Sequence, residues 1–118
     1  MIEKIQLNNI LFLDIETVPE SEDFSTLDSE MQTLYDQKTQ YQRKDDFTAE
    51  AFYDRAGIWA EFGKIICISV GYFVNKGDIR NFRVTSFFGE EKKILNDFNN
   101  LLNNHFSLPQ HVLCGHNA

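Results

Sequence analysis

The sequence predicts an α/β domain built around a mixed sheet, and three observations predict it. Short apolar, β-branched runs recur at Ile10–Ile15, Lys64–Val74, Ile79–Phe88 and Gln110–Cys114. One amphipathic segment, Glu90 to Asn103, carries Ile94, Leu95, Phe98, Leu101 and Leu102 as a single helical stripe. The order is strand, helical insertion, strand, turn, strand, helix, strand. It lets strands one to three run as an antiparallel meander, while the long helix crosses over to set strand four parallel to strand one.

The first strand is expected over Ile10–Ile15 and should end before Pro19, which cannot donate a ladder hydrogen bond. Glu20–Lys64 is long for a connection and carries helix signals. Leu27, Met31, Leu34 and Tyr35 keep helical spacing behind an S-x-x-D start at Ser25 and Asp28. The polar run Gln37–Asp46 breaks that pattern or continues it as an exposed turn. A second short helix should begin at Thr48 as N-cap, with Phe47 and Phe52 as a hydrophobic staple and Gly57 as its stop. This insertion reads either as a purely structural excursion or as one wall of a site, since it follows the first strand directly.

Lys64–Val74 is the most apolar run and reads as a strand buried on both faces. Asn75–Asp78 is a turn. Ile79–Phe88 alternates, with Phe82, Val84 and Phe88 on one face and Asn81, Arg83 and Thr85 on the other, as for a half-buried edge strand whose Arg80 and Arg83 are solvated. Glu90 and Glu91 suit the N-terminus of the long helix, and His105 suits its end.

The 118 residues are enough for one small domain. No apolar run has the length of a membrane span and no signal-peptide pattern opens the chain, so a cytoplasmic location is expected. Cys67 and Cys114 have no C-x-x-C spacing and sit in apolar runs, which argues against zinc and redox roles. The net charge of −7 lacks the basic footprint of a phosphate-binding protein. It does not exclude nucleic acid where bound cations offset a site's own carboxylates.

The informative stretch is Phe12-Leu13-Asp14-Ile15-Glu16-Thr17-Val18-Pro19. In a strand, Asp14 and Glu16 project from one face. Two carboxylates so close repel unless a cation lies between them or one takes a proton. The pair therefore reads either as a solvated acidic turn or as oxygen ligands for a hard divalent metal. If strand four lies beside strand one, the C-terminal Gly115-His116-Asn117-Ala118 faces the pair across a crevice of the kind where open α/β sheets bind ligands.

These residues carry a resemblance. F-L-D-I-E-T-V-P at Phe12–Pro19 resembles the first motif of the DEDD 3′–5′ exonucleases, which have the ribonuclease-H-like fold. The wording is nearest to the proofreading domain of family-B DNA polymerases and the stand-alone exonucleases related to it. E-F-G-K-I-I-C-I-S-V-G-Y at Glu61–Tyr72 is similar to their second strand, and C-G-H-N-A at Cys114–Ala118 to the start of their second motif. The resemblance implies 3′-end hydrolysis of nucleic acid by two Mg²⁺ or Mn²⁺ ions, one activating the attacking water and the other stabilising the leaving oxygen. It assigns Asp14 and Glu16 as metal ligands and catalytic residues, and Thr17 and Asn117 as contacts to a single-stranded 3′ end, with no role for His116. The family uses four carboxylates. The second motif's aspartate and the whole third motif are missing here, so the resemblance implies the N-terminal part of one exonuclease domain, a truncated domain inactive by itself. Two rivals stand beside it: a haloacid-dehalogenase-like phosphatase, with Asp14 as nucleophile and Val84-Thr85-Ser86 as second motif, and a non-catalytic ribonuclease-H-like scaffold.

Overall fold

In the computed structural model, which describes residues 2–43 and 47–116, four strands form one sheet. They are β1 (Ile10–Pro19), β2 (Gly63–Lys76), β3 (Ile79–Phe88) and β4 (Val112–Cys114), in the order β3-β2-β1-β4. β2 and β3 run antiparallel in an unbroken register from Cys67↔Phe88 to Lys76↔Ile79. The turn is therefore tighter than Asn75–Asp78, with only Gly77 and Asp78 outside the ladder. Gly77 takes φ +61°, a left-handed conformation that a side chain would resist. β1 and β4 run parallel, with Ile10↔Val112, Leu11↔Leu113 and Phe12↔Cys114 in register. The α-helix that links β3 to β4, Glu91–His105, supplies the crossover that parallel pairing needs. The α/β class, the mixed sheet and the β1–β4 pairing are as expected from the order of the elements.

The chain divides into two compact units, one comprising Met1–Glu16 with Ile65–Ala118, the other Thr17–Lys64. The first holds most of the sheet, with β1 through Glu16 and β2 from Ile65. Leu11, Ile68, Val70 and Ile94 are its buried centre, joined by Phe98, Leu101, Leu102 and Phe106 from the long helix and its exit. The helix thus covers one face of the sheet, as its stripe predicts, though Leu95 at the stripe's margin stays 43% exposed. On the other face Phe12, Phe73 and Phe82 pack ring against ring, with centroids 4.9–6.1 Å apart.

The second unit has its own core of Tyr35, Ala49, Tyr53, Ala56 and Phe62, flanked by Phe24, Leu27, Met31, Phe52 and Trp59. Its helices are α1 (Ser29–Thr39) and α2 (Ala49–Phe52), so the long helix of the first unit is α3. Two buried tyrosines keep their hydroxyls paired. Tyr35 donates to the Phe52 carbonyl at 2.7 Å, and Tyr53 accepts from the Ser21 N–H at 3.2 Å. Lys38 pairs with Glu61 and holds that carboxyl below its usual range, and Arg43 pairs with Asp36.

Several expectations need correction. β1 does not stop at Ile15 but runs through Pro19, which sits at its last position where no ladder donor is required. The next backbone bond, from Glu20 N–H to the Phe62 carbonyl at 2.7 Å, steps over it. Asp28 does not close an S-x-x-D start. It is itself the N-cap of α1, accepting from Met31 N–H at 2.8 Å, and Phe24–Thr26 is a separate 3-10 turn. Thr48 caps α2 as expected, through Ala51 N–H at 3.1 Å. Gly57 is no helix stop, since the following 3-10 helix, Tyr53–Ile58, runs past it. A side chain there would press on the Val18 backbone at 3.1 Å, so glycine serves close approach instead. β2 is not buried on both faces, because Ile66 is 39% exposed. On β3 the apolar trio faces outward, with Phe82 at 50%, Val84 at 67% and Phe88 at 73% exposure, while Phe87 joins the core. Period two tells which residues share a face, not which face a helix will cover. β4 begins at Val112 rather than Gln110, and α3 extends to His105 rather than ending at Asn103. Among the described residues, no helix is long and apolar enough to cross a membrane.

Candidate metal site on the first strand

β1 delivers Asp14 and Glu16 to one side of the sheet by strict alternation: Leu11 and Leu13 point into the core under α3, whereas Phe12 joins Phe73 and Phe82 on the opposite face. Asp14, two residues on from Phe12, lines a shallow hollow on that face with Phe12, Ser69, Gly71, Phe82 and Val84. Both carboxylates are exposed. They interact with each other: a hydrogen bond to Asp14, reinforced by its negative charge, raises the Glu16 carboxyl above its ordinary range. A shared proton is one way to satisfy the pair, and a cation is the other.

The parallel register ends β4 opposite Phe12, part-way along β1. Beyond Phe12↔Cys114, one strand continues toward Asp14 and the other chain toward Gly115 and an exposed His116. Among the described residues, no group of three or more histidines, cysteines or acids comes together, so Asp14 and Glu16 stand as a pair. Thr17 belongs to the second unit, where its hydroxyl donates to the Gly57 carbonyl at 2.7 Å; its proton is committed and its lone pairs are what it can offer. Asn117 lies outside the described residues.

The donor set fits a hard divalent cation. Two carboxylates on one strand face, exposed and mutually repelling, offer oxygen ligands whose strain a cation relieves. As a set it is partial, supplying two protein ligands where such ions take six or more oxygens. Sequence reading did not single out the Ser69–Ser86 hydroxyl pair, 2.8 Å apart, whose Ser69 member lines the same hollow as Asp14. Its only advance signal was the β2–β3 register, which sets Ser69 opposite Ser86. Comparison with family models, curated proteins and solved structures returns no match to this chain.

Proposed function

We propose that the protein is a metal-dependent 3′–5′ exonuclease of ribonuclease-H-like fold, hydrolysing phosphodiester bonds at single-stranded 3′ ends, with Asp14 and Glu16 as half of its metal centre. One observation carries the reading: two hydrogen-bonded carboxylates leave the same face of β1 just past the point where parallel β4 ends. The strand order β3-β2-β1-β4, with a helical crossover between β3 and β4, supports the fold. In this reading Asp14 and Glu16 hold Mg²⁺ or Mn²⁺ as two of the carboxylates of the centre. The chemistry such ions supply when bound is Lewis-acid activation of water and charge neutralisation at the leaving oxygen. The chain's own residues set the site's position: the Leu11 side of β1, locked in the core, fixes the strand, and the strand fixes the carboxylates. Thr17 and Asn117 are assigned to the terminal nucleotide, Thr17 through its free lone pairs.

The test is digestion of 5′-labelled single-stranded DNA with Mn²⁺ by the full-length protein and its Asp14→Ala variant. Stepwise shortening by the parent and none by the variant is expected, and equal activity of the two overturns the reading. For the 118-residue chain alone, weak Mn²⁺ binding, followed by water-proton relaxation and abolished in Asp14→Ala, is the corresponding result.

A further inference from the structure

The sheet face away from α3 carries polar groups besides the two carboxylates. Phe12 and Phe82 pack edge to face there, so alternation puts Asp14 and Glu16 of β1, and Val84 and Ser86 of β3, on the same face. Ser69 of β2 joins them, since it lies opposite Ser86 in the ladder with the two hydroxyl oxygens 2.8 Å apart. Along β1 from Phe12 to Asp14, the β2 neighbours change from Phe73 to Gly71 and Ser69. The hydroxyl pair therefore borders the acidic part of the face, and the Phe82 ring, which a Cβ at Gly71 would meet at 2.3 Å, bounds the apolar part. The hollow that Asp14 and Ser69 share holds about 240 Å³. At about 30 Å³ per water, that is room for several.

We infer that Ser69 and Ser86 are positioning residues for the metal centre, their hydroxyl oxygens accepting hydrogen bonds from water carried by an ion at Asp14 and Glu16. The inference rests on the proposed metal reading and adds the layer that holds the ion's water. A hard divalent ion takes six or more oxygens, and two carboxylates leave most of those positions to water. A cation acidifies the water it binds and makes it a strong donor, which needs acceptors that are not themselves ligands. The serine pair supplies them. Each hydroxyl has one proton and two lone pairs. Their mutual bond uses one of each, and the Cys67 thiol, 3.8 Å from Ser69 Oγ, takes one further place on Ser69. At least two lone pairs of the pair stay open. Ser69 is the acceptor beside Asp14, and Ser86 orients its hydroxyl through the bond between them.

The experiment is Mn²⁺ titration of the 118-residue chain followed by water-proton relaxation, with Asp14→Ala, Ser69→Ala, Ser86→Ala and Ser69→Thr beside the parent and circular dichroism as the check on folding. Removing an outer partner of a metal site typically lowers affinity about 10–100-fold. Ser69→Ala and Ser86→Ala should each weaken Mn²⁺ binding, by about 10-fold for Ser69→Ala, while Ser69→Thr, which keeps the oxygen, should bind like the parent. The relaxation enhancement per bound ion should also change in Ser69→Ala, because water that loses its acceptor exchanges more freely. A serine pair that only tied β2 to β3 would leave that enhancement unmoved. Parent-like affinity and enhancement in the folded alanine variants, or equal losses in Ser69→Ala and Ser69→Thr, overturn the inference, and abolition of binding by Asp14→Ala alone then leaves the metal reading standing. A parent chain that binds no Mn²⁺ overturns both.

Discussion

At the scale of single residues, the Asp14–Glu16 pair makes a claim with a definite sign. Glu16 binds its proton more tightly in the folded chain than in the unfolded one, by a hydrogen bond to Asp14 first and by its charge second. Its contribution to stability is therefore complete below the unfolded carboxylate pKa and is lost as pH rises through the raised folded value. Carboxyl-carbon NMR titration should find Glu16 above the ordinary glutamate range in the parent and back toward it in Asp14→Asn. On the proposed reading Mn²⁺ would compete with that proton, so its affinity should climb with pH over the same window. A second residue prediction concerns Tyr35, whose phenol burial pushes up to about 12. Its stabilising effect is present below the unfolded value and lost as pH rises through about 12. Tyr35→Phe strands the Phe52 carbonyl, at a cost of about 1–3 kcal/mol in urea unfolding.

At the scale of elements, caps and close approaches decide what forms. Asp28→Ala removes the acceptor for Met31 N–H and should cost about 1 kcal/mol, read as a lower urea midpoint with unchanged slope. Gly63→Ala would place a methyl 2.6 Å from the Gly57 carbonyl oxygen, a backbone atom that cannot swing aside. It should destabilise far more than Gly77→Ala, where the strain is conformational and nothing lies nearby. Most elements were legible in sequence because their signals are local: alternation for β3, the apolar stripe for α3, and Thr48 as a cap. The errors share one physical origin. Whether Phe82 and Val84 are buried, whether β1 outlasts Ile15, and whether Asp28 caps or closes a box depend on what another segment does. Local periodicity does not encode that.

At the scale of the molecule, the described residues form two hydrophobic centres where length alone predicted one. One is aliphatic and sits between sheet and helix; the other is aromatic and lies within Thr17–Lys64. Ile94→Ala, at a fully buried site of the first, should cost about 2–5 kcal/mol. Its lost protection in hydrogen exchange should appear first in the α3 and β2 amides. The candidate site was legible as far as the same-face carboxylates, because alternation along one strand is enough to align them. It was not legible beyond that, since Asn117 lies outside the described residues and the hollow around Asp14 is built from three strands distant in sequence.

The aromatic centre has a spectroscopic consequence. Trp59 is the chain's one indole, and it lies 6.0 Å from the Tyr35 ring, with the Lys38 ammonium 6.0 Å from its own centroid. Emission excited at the red edge of the tyrosine band therefore reports on the surroundings of Trp59, within Thr17–Lys64. An unfolding curve followed by tryptophan light and one followed by far-ultraviolet dichroism sample different parts of the chain, and their coincidence or separation measures whether the two centres melt as one.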